Sequence, residues 1–86
     1  MKHATEAALK PIQSLIDKLR RLPGIVERKP GIFYARGKAF LHFHQDPMGL
    51  FADVKVDNDW ERFPINAARE RAALAKFAAK VLARSG

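Results

Sequence analysis

Between Leu9 and Leu22 the apolar residues fall at Leu9, Ile12, Leu15, Ile16, Leu19 and Leu22, with Lys10, Asp17, Lys18, Arg20 and Arg21 between them. This three-four spacing predicts one apolar stripe on a helix over about residues 8–22. Pro11 is compatible only with a first turn or a break, so the regular part is expected to begin near Lys10 after a short helical lead-in. Pro23-Gly24 ends it. The pattern returns at the other end, where Leu74, Phe77, Ala78, Val81 and Leu82 share one face and Lys76, Lys80 and Arg84 another. A second helix over about 67–84 follows, rich in alanine and with Asn66 as its expected N-cap.

Between the helices the period changes to two. Turn signals at Lys29-Pro30-Gly31, Arg36-Gly37, Asp46-Pro47-Met48-Gly49 and Asp57-Asn58-Asp59 cut residues 25–65 into short pieces. Connections this short join antiparallel neighbours, predicting strands at about Ile25–Arg28, Ile32–Ala35, Lys38–His44, Leu50–Val56 and Trp60–Ile65. The expected fold is a single α+β domain over residues 1–86: a two-layer sandwich in which both helices cover one face of a four- to five-stranded antiparallel meander.

Strand parity then divides the residues between faces. Closing the central hairpin over Asp46–Gly49 pairs His44 with Phe51, Phe43 with Ala52, His42 with Asp53, Leu41 with Val54, Phe40 with Lys55 and Ala39 with Val56. Ala39, Leu41, Phe43, Ala52, Val54 and Val56 then share an apolar core face, whereas a slip of one residue would mix the histidines with Ala52 and Val54. A two-residue turn at Arg36-Gly37 is expected to add Tyr34 and Ile32 to the core face, opposite Ala39 and Leu41. A turn at Asn58-Asp59 would pair Val54 with Phe63 and Ala52 with Ile65. The other face is then predicted to display Phe33, Phe40, His42, His44, Phe51, Asp53, Lys55, Trp60 and Arg62. Four aromatics among charged groups are unusual for an open sheet face and point to a binding surface.

Three kinds of chemistry suit that face. His42 and His44, two apart on one strand, with Asp53 across the ladder, form an N2O donor set for zinc or another divalent ion. Phe33, Phe40, Phe51 and Trp60 could stack single-stranded nucleic acid, with Lys38, Lys55 and Arg62 supplying charge. The same rings could meet a protein partner or a second copy of the chain, which would make a homodimer. A His42–Asp53 pair could orient an imidazole as a base, but the only hydroxyl candidates are Ser14, Ser85 and Thr5, so the expectation is a noncatalytic binding domain with no obligatory cofactor.

Charge sharpens this only a little. Lys and Arg number 16 against nine Asp and Glu, a net +7, which favours anionic partners without naming one. Residues 1–44 hold nine bases and three acids, residues 45–61 one base and five acids, and residues 62–86 six bases and one acid. The bases lie chiefly on the helices, away from the aromatic face. With no cysteine there is neither a disulfide framework nor a Cys-based metal site. No apolar run reaches the length of a signal or membrane segment, so the expectation is a cytoplasmic protein that does not enter a membrane.

The run LPGIVERKPGIFYARGKAFLHFHQDPMGLFADVKV resembles small bacterial α+β proteins of uncharacterised function. Leu22-Pro23-Gly24, Gly37-Lys38, Phe40, Leu41-His42-Phe43-His44 and Ala52-Asp53 carry the likeness. In outline it is similar to the YjbR/MmcQ-like proteins and to the luciferase-like small domain, over about residues 15–83. The resemblance implies a twisted antiparallel sheet with flanking helices and, for the YjbR-like group, nucleic-acid binding. A frataxin-like helix, sheet, helix order is a further analogy, but Lys10, Lys18, Arg20 and Arg21 stand where that fold's iron-binding acids would be needed.

Overall fold

The computed structural model describes residues 2–85. A two-residue strand β1 (Lys2–His3) precedes α1 (Glu6–Leu9), a single 3-10 turn at Lys10–Ile12 and α2 (Gln13–Arg20). Thr5 caps α1, its hydroxyl accepting a hydrogen bond from the Ala8 N–H. Pro11 has no N–H to donate, and the tighter turn at its position joins the lead-in to the main helix. Strands β2 (Ile25–Lys29), β3 (Ile32–Ala35), β4 (Lys38–Asp46), β5 (Gly49–Val56) and β6 (Asp59–Pro64) follow, and α3 (Ala68–Ser85) closes the chain.

The five long strands form an antiparallel meander in sequence order. The short β1 pairs with the end of β4 that β3 leaves bare, Lys2 against Gln45 and His3 against His44. The helices share one side of the sheet, where Leu9, Ile12, Ile16 and Leu19 meet Leu41, Phe43, Ala52 and Val54, and Leu74 and Ala78 come in from α3. This is the expected α+β arrangement. No helix among the described residues is long and apolar enough to cross a membrane.

The cap of α3 differs from expectation. Asn66 turns its amide onto β5, accepting from the Leu50 N–H and donating to the Leu50 carbonyl. The helix start is held instead by Glu70, whose carboxylate accepts from the N–H groups of Asn66 and Ala67. Glu70 thereby reaches back to the two N–H groups just before the first turn and places negative charge at the positive end of the helix.

The central hairpin has the predicted register, from Gln45 opposite Leu50 through Leu41 opposite Val54. The β3–β4 hairpin does not. Its turn falls at Arg36-Gly37 and Tyr34 pairs with Ala39 as expected, but Phe33 then pairs with Leu41 and Ile32 with His42. Phe40 is the extra residue of a β-bulge, and a bulge turns two successive side chains toward the same side. Phe33, Phe40 and Leu41 therefore all lie in the core, at 0%, 6% and 0% exposure. The assignment of Phe33 and Phe40 to the open face is corrected on this ground. Ile32, Tyr34 and Ala39, expected in the core, instead line a surface cavity beside His42.

The β5–β6 turn falls at Asp57-Asn58, both with positive φ, so the register is offset by two residues from the expected one. An even offset keeps every side chain on its predicted face but changes its partner. Arg62 now stands against Asp53, Trp60 against Lys55 and Phe63 against Ala52.

Candidate metal centre

Alternation along β4 places His42 and His44 on the open face, and β1 sets His3 directly across from His44. The three imidazoles converge: ring centroids lie 4.6 Å apart for His42 and His44, 5.3 Å for His3 and His42, and 5.2 Å for His3 and His44. One nitrogen from each ring falls within 4.8 Å of the others. Nδ1 of His42 is buried and has no hydrogen-bond partner among the described residues. Trp60 from β6 packs edge-on against His42 with centroids 4.4 Å apart, and Lys55 reaches over the indole.

Asp53 is 4% exposed yet charged, and its partners explain how. Nε of Arg62 donates to its Oδ1 at 2.8 Å and a terminal guanidinium nitrogen to Oδ2 at 2.9 Å, a two-pronged bond that satisfies both oxygens. Nε2 of His44 lies 3.0 Å from Oδ2. Burial pushes the Asp53 carboxyl up, but the Arg62 hydrogen bonds and the neighbouring positive charges outweigh it and hold its pKa below the usual 3.8. Burial, and next the nearby His44, lowers His42 from its ordinary 6.5, so His42 is a neutral donor at neutral pH.

The expected donor set is thus rearranged. His42 and His44 stand as predicted, while Asp53 sits behind His44 as its carboxylate partner and His3 completes the cluster. A carboxylate in that position fixes the ring's orientation and makes the imidazole more basic. Phe51, Lys55, Trp60 and Arg62 occupy the open face as expected, with Phe51 across from His44. Of the hydroxyl candidates, Thr5 is engaged as a helix cap and Ser14 lies on the helical layer.

His3 escaped the pattern reading because a two-residue strand has no period. The signal for it was the unequal length of β4, nine residues, and β3, four residues, which leaves the far end of β4 in need of a backbone partner.

Comparison with protein-family models, with curated proteins and with solved structures finds no match for this chain.

Proposed function

We propose that the chain is a noncatalytic binding domain whose open sheet face holds a divalent transition metal through His3, His42 and His44. The observation that carries this reading is the convergence of three imidazoles from two strands on one point. Three imidazole nitrogen donors suit zinc, cobalt, nickel or copper, and disfavour magnesium and calcium, which take oxygen ligands. Zinc–nitrogen bonds of about 2.0–2.1 Å in a tetrahedron require nitrogens about 3.4 Å apart. The three nitrogens, all within 4.8 Å of one another, stand at most about 1.4 Å wider than that. Asp53, held by Arg62, serves as the outer partner of His44. Stacking of nucleic acid loses Phe33 and Phe40 to the core, and the aromatic surface that remains is Trp60, the half-buried Phe51 and Tyr34, the last already covered by Arg28.

The test is calorimetric titration of the untagged, chelator-treated chain with Zn2+, together with visible spectra of the Co2+ form. Saturable one-to-one binding is expected, weakened at least about tenfold by each of His3→Ala, His42→Ala and His44→Ala, or about 1.4 kcal/mol each. Absence of saturable binding, or binding that survives all three substitutions together, would refute the assignment.

A further inference from the structure

A cavity of about 480 Å³ opens on the sheet face beside the histidines, with His3 and His42 on one wall. Its floor is Ile32, Tyr34 and Ala39, and its remaining wall is Arg28 and Lys29. Two irregularities build it. The bulge at Phe40 turns Ile32, Tyr34 and Ala39 onto this face. A second register shift between Glu27 and Lys29 leaves Arg28 as an extra residue opposite Ile32, so two consecutive basic side chains point the same way.

The lining has a definite chemistry. It contains two permanent cations and no carboxylate. Among the described residues, no ion pair engages Arg28 or Lys29. The Arg28 guanidinium rests 4.7 Å above the centre of the Tyr34 ring, which fixes its position at the rim before any ligand arrives. Asp53, the buried acid of this face, is already engaged by Arg62 and His44. A tetrahedral metal on three histidines has one position left for an outside donor. His3 and His42 belong to both the cluster and the cavity wall, so the cavity adjoins the cluster.

We infer that the cavity receives a small organic oxyanion, a carboxylate or phosphate monoester. Its charged head binds between the metal and Arg28 and Lys29, and its apolar body lies on Ile32, Tyr34 and Ala39. This rests on the three-histidine reading and names the ligand class for that site. The volume is in the range that holds small molecules, and a few convergent polar groups around an apolar floor are what orient them.

The experiment titrates the Co2+-loaded and metal-free chain with benzoate, phenyl phosphate and acetate, following the cobalt bands and the amide shifts of residues 28–34 and 39–42. Benzoate or phenyl phosphate is expected to perturb the cobalt spectrum and to bind the loaded chain at least about tenfold more tightly than the metal-free chain. Whichever of the two binds tighter identifies the headgroup, and acetate should bind more weakly than benzoate. R28Q/K29Q should lose the anion while keeping its cobalt affinity. Cobalt binding without any anion response, or anion binding unchanged in R28Q/K29Q, would overturn the inference and leave the metal site standing. Failure to bind cobalt at all would instead remove the metal reading.

Discussion

Replacing Phe33 by alanine tests the bulge that creates the site. Phe33 is fully buried and meets Phe43 edge-to-face, with centroids 6.4 Å apart. Removing a buried phenylalanine costs about 3–5 kcal/mol in lost transfer energy and cavity formation, and the ring pair places this residue in the upper half of that range. A domain of this size has a total stability of about 4–13 kcal/mol, so Phe33→Ala forfeits a third of it or more. At about 4–8 °C per kcal/mol, the melting temperature should fall by about 15–40 °C. Thermal and urea denaturation followed by far-UV circular dichroism measure this directly. Trp60→Ala, on an edge strand and 40% exposed, is the contrast and should cost about 1 kcal/mol. In a hairpin of continuous parity Phe33 would face outward beside His42 and Tyr34 would be core. A Phe33→Ala variant within about 1 kcal/mol of the parent, with Tyr34→Ala the more damaged, would refute the bulge and the cavity built on it.

Zinc at one hundred times its dissociation constant should raise stability by about 2.7 kcal/mol, or about 10–20 °C in scanning calorimetry. His3→Ala should abolish most of that gain while leaving the metal-free melting temperature within a few degrees, because His3 is exposed. Asp53 binds its proton less readily in the folded state than in the unfolded one. Its stabilising contribution is therefore present above about pH 4 and lost as pH falls through the lower folded value. Urea midpoints between about pH 2 and pH 5 should accordingly slope less in Asp53→Asn than in the parent. Gly31→Ala should destabilise by about 2 kcal/mol in the same assay, since Gly31 has φ +76° and a Cβ there would sit 2.9 Å from Cδ1 of Leu9.

The central hairpin was legible because its apolar residues admit one parity: His42 and His44 must leave the core if Leu41, Phe43, Ala52 and Val54 are to enter it. The faces of β6 were legible for the same reason, although its partners were not. The choice between Asp57-Asn58 and Asn58-Asp59 as the turn changes pairings by two without exchanging faces. Alternation failed where the chain inserts Phe40. Three successive apolar residues, Ala39, Phe40 and Leu41, marked that place, but period-two reading assigns such a run by counting and cannot see that one residue has been skipped. The arrangement of the histidine cluster was legible only in part. Asp53 looked like a ligand because it faces His42 across the ladder, whereas the offset of β6 brings Arg62 to claim it. His3 is distant in sequence, and only the finished sheet brings it near.

The two residues of β1 also have a bearing on self-association. They occupy backbone groups at the end of β4 that would otherwise form an exposed sheet edge, and Ala4 extends the cover by donating its N–H to the Phe43 carbonyl. Bare edges of β-branched and aromatic segments recruit strands from other molecules. A metal bridging His3 to β4 would fasten this cover, so chelation would leave the Phe43–Asp46 edge shielded by a handful of main-chain bonds alone. The same clasp that gathers the donors would then set how readily one copy of the chain adds to the sheet of another.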